Sequence, residues 1–212
     1  MSNYKTVFFI LGVLQIILGL SMIVPIMAQF YYNQVDSGFI GSGLVSIIFG
    51  VLFFLSNLDY EKKLTLPQAF LLTALSWLSI AIFGSLPFVF SDLSLSFTNA
   101  FFESMSGITT TGSTILTNLN ETPKAILLWR AMLQWLGGIG IIVMAITLMP
   151  IMNIGGMQLF VISNTHTPEK ILPKSKEISI RLIVIYSSLT LVCAFFYKIF
   201  GMSFFDSIVH SM

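Results

Sequence analysis

Charge is what this sequence has least of. Only 9% of its 212 residues are Asp, Glu, Lys or Arg, where a soluble domain carries about 25%. With 56% of the residues hydrophobic and a mean hydropathy of +0.92, there is too little polar surface to coat a water-soluble globule. Lys and Arg exceed Asp and Glu by a single charge and form no run of five, which removes the footprint of a nucleic-acid binder. Cysteine is nearly absent: Cys193 is alone in an apolar run, so no disulfide framework exists and the residue reads as a small buried hydrophobe. The two histidines, His166 and His210, read as surface or structural residues rather than metal ligands. Phosphate-binding loops, dinucleotide fingerprints, nucleophile elbows and zinc-protease motifs are all missing, so the sequence does not read as an enzyme.

Long apolar runs are what it has instead. The first, Thr6 to Phe30, is about 25 residues, long enough to cross a bilayer and too long for the core of a secretory leader. A second runs from Phe39 to Leu58. Gly12 and Gly19 share one face of the first span, and Gly43 and Gly50 one face of the second. Small residues let helices approach closely, so residues 1–58 are expected to form a transmembrane hairpin. Pro25 falls near the far end of the first span. Pro67 opens a third span, Gln68 to Phe90, whose end Pro87 weakens. A long span from Lys124 to Met149 comes after Pro123 and carries Trp129, Arg130, Gln134 and the glycines Gly137, Gly138 and Gly140. Residues 153–181 form the longest polar stretch and read as a connector, with a turn signal at Pro173. The fifth span is expected from Leu182 to Phe200.

Between the third and fourth spans lies a segment that fits neither a span nor a surface loop. Phe97 to Gly107 is apolar and helical in pattern but covers only half a bilayer, which predicts a re-entrant helix. Behind it, Ile108 to Thr114 reads Ile-Thr-Thr-Thr-Gly-Ser-Thr and is expected to return as an extended strand. Backbone that is neither helix nor barrel strand is tolerated at membrane depth only where protein buries it or where it lines a water-filled path. Thr and Gly there can turn carbonyl oxygens inward, and a ring of carbonyls replaces the water shell of a monovalent cation. The candidate ligands are the backbone carbonyls of Ile108, Thr109, Thr110, Thr111 and Gly112, with Ser113 in support. Glycine permits the positive φ that aims a carbonyl at an axis. Glu103, two turns earlier, and Arg130, inside the next span, are charges that need partners at this depth. They are expected to pair and brace the loop.

Basic residues set an orientation. With a cytoplasmic N-terminus, Lys5, Lys62, Lys63, Lys170, Lys174, Lys176 and Arg181 fall inside, and only Lys124 and Lys198 outside. Asp36, Asp92, Glu121 and Asp206 then form an outer acidic rim. The string Phe97 to Met105 can also be laid over Phe204 to Met212, with Phe, Ser and Met coinciding at three positions. Each lies a few residues after a span, so the repeating unit is span, half-helix, loop, span. Residues 59–152 hold one such unit and 182–212 the start of a second. The expected fold is therefore an all-α integral membrane protein. It has two N-terminal helices, one full pore repeat, and part of another.

Two blocks carry a resemblance to a known family. Phe101 to Thr114, and Leu128-Trp129-Arg130 continuing through Gln134-Trp135-Leu136-Gly137-Gly138-Ile139-Gly140 to Val143, closely resemble the Trk/Ktr/HKT superfamily of potassium transporters. Within it they are most similar to the membrane subunit of the Trk branch. That resemblance implies potassium uptake across the bacterial inner membrane through a pore of four such repeats. It implies no covalent cofactor. A homodimer is expected, as is a cytosolic ring of regulatory subunits that binds any nucleotide. It makes Gly112 the first repeat's filter glycine, where glycine goes with potassium and serine with sodium. One filter loop and half of the next pore helix cannot encircle an ion. The polypeptide is accordingly expected not to conduct alone, being part of a longer chain or a truncated product. The alternative is a non-conducting subunit that assembles with other membrane proteins.

Overall fold

The computed structural model describes residues 4–34, 36–60, 64–93, 95–119, 121–152 and 171–212. Lys62, Lys63, His166, Lys170 and most of the expected connector lie outside them. All regular structure among the described residues is helical: α1 (Lys5–Ser21), α2 (Ile23–Tyr31), α3 (Gly38–Ser56), α4 (Leu66–Phe90), α5 (Phe97–Ile108), α6 (Lys124–Met152), α7 (Ile171–Ile199) and α8 (Phe204–Ser211). Among the described residues, five stretches are long and apolar enough to cross a membrane: Lys5–Tyr31, Gly38–Ser56, Leu66–Phe90, Lys124–Ile142 and Glu177–Ile199. The all-α membrane architecture read from the sequence is thus the one observed.

Two boundaries differ from expectation, each at a proline, and a third is kept despite one. The first span is two helices that meet at Met22. Pro25 cannot donate to the carbonyl of Ser21 and its ring crowds that group, so the helical ladder is interrupted there. Conversely, α4 continues through Pro87 to Phe90, the end expected for the third span. The last long helix starts at Ile171 and not at Leu182. Pro173 falls in its first turn, where a missing N–H breaks no helical bond.

The chain divides after Gly137 into two compact units, described separately. In the first, α1 and α3 run antiparallel with their glycines facing. A Cβ on Gly12 would stand 2.7 Å from the Gly50 carbonyl oxygen, and one on Gly19 would stand 2.9 Å from that of Gly43. Either side chain would force the backbones apart. Midway along this seam the Gln15 side chain donates to Ser79 Oγ on α4 at 2.5 Å. The core joins Leu18, Met22 and Phe39 of the hairpin to Phe88, Ala100, Ile126, Trp129 and Leu133. The Trp129 indole N–H donates to the Gly84 carbonyl at 2.9 Å, which ties α6 to α4. At one end of the unit, the Gln34 side chain accepts the backbone N–H of Lys124 at 3.0 Å. A turn of the hairpin therefore caps the helix that comes after the short α5.

In the second unit, Tyr186 on α7 packs on Gly138, with its hydroxyl 2.7 Å from where a Cβ would stand. Ser203 accepts the N–H of Asp206 at the start of α8 (3.1 Å), as Ser96 accepts that of Asn99 at the start of α5 (3.4 Å). The alignment of Phe97 with Phe204 thus places two serine N-caps in register. The two short helices begin in the same way.

Candidate functional site

Helix α5 has 12 residues, about 18 Å at 1.5 Å per residue, against a hydrocarbon core of about 30 Å. The chain after it runs back along the same helix. Ser106 Oγ donates to the Ser113 carbonyl at 2.6 Å. Further back, Glu103 accepts from the Thr114 hydroxyl, the Ile115 N–H at 2.6 Å and the Leu116 N–H at 3.3 Å. Bonds from successively earlier helix residues to successively later loop residues describe a chain that turns and ascends beside its own helix.

The turn is a helix cap of the Schellman type. Thr111 N–H reaches the Ser106 carbonyl (3.0 Å) and Thr110 N–H the Gly107 carbonyl (2.9 Å). The residue in left-handed conformation is Thr110, with φ 58°. A β-branched residue there is a backbone outlier. The segment is therefore not extended from Ile108 onward as the sequence suggested. Ile108 is still helical, and Gly112 supplies a second left-handed residue at φ 77°.

This cap fixes where the carbonyls point. The N–H groups of Thr110, Thr111 and Gly112 all bond to carbonyls at the end of α5, Gly112 to Ser106 at 3.3 Å. In a trans peptide the preceding C=O points the opposite way, so those of Thr109, Thr110 and Thr111 are directed away from the helix. Thr109, Thr110, Thr111 and Gly112 are exposed. Among the described residues their carbonyl oxygens accept no hydrogen bond. Ile108 differs. It is buried, and a Cβ on Gly137 of α6 would overlap its carbonyl oxygen. The carbonyl of Ser113 is likewise occupied, by the Ser106 hydroxyl.

Beneath the loop sits an ion pair. Glu103 is fully buried and Arg130 on α6 is 14% exposed, with Arg130 Nε 2.8 Å from Glu103 Oε2. One carboxylate oxygen thus takes the guanidinium, and the other takes the return strand. A buried carboxylate is tolerable when both oxygens are satisfied. Leu133 packs on Gly107 and Gly84, and Gln134 Nε2 lies 3.4 Å from where a Cβ on Gly112 would stand. Arg130, Leu133, Gln134 and Gly137 are thus one face of α6 on which α5 and its loop rest.

Sequence reasoning did not single out Ser106, which holds the loop through both its carbonyl and its hydroxyl. Nor did it single out Gln34, which caps α6. Ser106 carried a readable signal, since hydroxyl residues near a helix end commonly bond local backbone. Gln34 is 90 residues from its partner and carried none.

A half-length helix, a capped reversal and a bare Thr/Gly carbonyl row, braced by a buried carboxylate and a guanidinium, can be compared with known proteins. The cation transport protein family TrkH matches residues 6–211. The chain belongs to that family. The TrkH family is one of transporters, not of enzymes. Among its relatives, the Trk system potassium uptake protein TrkI of Halomonas elongata is 38% identical over 96% of this chain and 42% of its own length. The Trk system potassium uptake protein TrkH of Vibrio parahaemolyticus is 37% identical over 99% and 44%, and that of Escherichia coli K12 38% over the same shares. The crystal structure of the potassium transporter TrkH from Vibrio parahaemolyticus superposes with a TM-score of 0.87 at 35% identity, covering 99% of this chain and 42% of that one. The chain therefore spans less than half the length of the relatives it matches.

Proposed function

We propose that this chain supplies the first quarter of a potassium-uptake pore, with the carbonyl oxygens of Thr109, Thr110, Thr111 and Gly112 as ion ligands. The observation that carries the reading is the row of exposed, unbonded carbonyls, of which those of Thr109, Thr110 and Thr111 are directed away from α5. Carbonyl oxygens without a hydrogen bond have lone pairs to offer a cation that has shed its water. The α5 macrodipole adds to this, since its C-terminal end carries partial negative charge. Ile108, packed on Gly137, braces the innermost turn in this reading, and Ser113 and the Glu103–Arg130 pair hold the strand.

Relatives that carry the name Trk system potassium uptake protein support potassium as the transported ion. The excess of basic residues on one side supports a cytoplasmic N-terminus in a bacterial inner membrane. Each membrane potential increment of 100 mV then contributes about 2.3 kcal/mol to inward movement of one charge. A homodimer and a cytosolic nucleotide-binding ring belong to the same reading.

The test is uptake by the complete product of the gene, expressed in bacteria that lack potassium uptake of their own. Growth at low potassium should be restored, and Gly112→Ser should raise sodium uptake relative to potassium. No restoration, or a Gly112→Ser protein with unchanged ion preference, contradicts the proposal.

A further inference from the structure

Gly112 is held on both sides and loose in the middle. Its N–H is bonded to Ser106, and the next carbonyl, that of Ser113, is bonded to the Ser106 hydroxyl. The peptide between them, joining Gly112 to Ser113, has neither its oxygen nor its N–H in a hydrogen bond among the described residues. Glycine has the widest choice of φ and ψ, so this is the peptide of the loop with least to stop it rotating. Rotation would swing the Gly112 carbonyl out of line.

The group beside it is the Gln134 side chain. Its Nε2 lies 3.4 Å from the point a Cβ on Gly112 would occupy. Gln134 is half-buried and its side chain makes no hydrogen bond among the described residues. Its neighbours on the same face are engaged, Arg130 with Glu103 and Gly137 with Ile108.

We propose that Gln134 is a positioning residue for the filter. Its amide fills the space beside Gly112, blocks rotation of the Gly112–Ser113 peptide, and so sets how sharply potassium is preferred over sodium. This rests on the filter reading above. Bulk is what the role requires, so a leucine there should serve nearly as well.

The experiment measures the ratio of potassium to sodium uptake by the complete gene product in proteoliposomes. Wild type, Gln134→Ala, Gln134→Leu and Gly112→Ser are compared at matched protein. Gln134→Ala is expected to lower the ratio about tenfold, as small misplacements at a tight site do, and Gln134→Leu to keep it within about twofold of wild type. If Gln134→Ala does not reach the membrane, Gln134→Asn, one methylene shorter, is read in its place. A normal ratio in the shortened variant beside a lowered ratio in Gly112→Ser overturns the role of Gln134 and leaves the filter reading standing. A Gln134→Leu ratio as low as that of Gln134→Ala overturns the steric stop. An unchanged ratio in Gly112→Ser overturns the filter reading and this inference with it.

Discussion

Glu103 joins three parts of the chain through one carboxylate: its own helix, the returning strand at Thr114 to Leu116, and Arg130 on α6. Removing one partner of a buried pair leaves the other uncompensated, at about 3–5 kcal/mol. Glu103→Gln should lower the unfolding free energy in detergent by that order. The Glu103→Gln, Arg130→Gln double variant should lose clearly less than the sum of the singles. Additive losses would mean that the two charges are solvated independently. Ser106→Ala should cost about 1 kcal/mol by freeing the Ser113 carbonyl, and should speed hydrogen exchange at Thr111 and Gly112, whose N–H groups bond to Ser106. At this scale the sequence was partly legible. Thr/Gly composition marked the loop, and two charges at membrane depth marked a pair. The conformation was not legible, because Gly107 suggested a helix end earlier than the real one. A threonine takes the left-handed position that a glycine usually fills. That choice is made by the Ser106 and Gly107 carbonyls, not by the propensity of Thr110.

Helix α1 meets α3 through glycines in direct backbone contact, and this contrasts with a glycine that is merely present. Gly12→Val should separate the two helices and destabilise the unit by roughly 2–4 kcal/mol. Gly41→Ala should be nearly neutral, since its nearest neighbour would be the Phe90 ring at 3.8 Å. Thermal unfolding of both variants in the same detergent decides this, and equal losses would count against the seam. Gln34→Ala removes the cap from Lys124, worth about 1 kcal/mol. It should raise hydrogen exchange over the first turn of α6 while leaving α4 unchanged. Glycine spacing of seven made the packing faces readable before any coordinates. Proline was the less reliable sign. Pro25 splits a span, Pro87 does not end one, and Pro173 sits inside the start of one. Its effect depends on whether the carbonyl four residues earlier already has a role in a helix.

The chain as a whole reads most clearly of all, because apolar length is what a bilayer measures. Among the described residues, five helical stretches long and apolar enough to span lie at nearly the residues expected. The Glu177–Ile199 span, with Leu191, Val192 and Phe195 exposed, presents the apolar surface that lipid or further helices require. Hydropathy could not say that Gln34 caps α6, since that bond depends on the tertiary arrangement. The proposed pathway requires residues 97 to 124 to enter and leave the membrane by the same face. The most direct measurement replaces Cys193 with alanine and places single cysteines at Leu95 or Leu119, on either side of the half-helix and loop. A membrane-impermeant thiol reagent is then added to one side of sealed, oriented vesicles. Both cysteines are predicted to react from the outer face and to be protected from the inner one. Labelling of Leu95→Cys from one face and Leu119→Cys from the other would mean that the segment crosses the membrane, and would contradict the re-entrant loop.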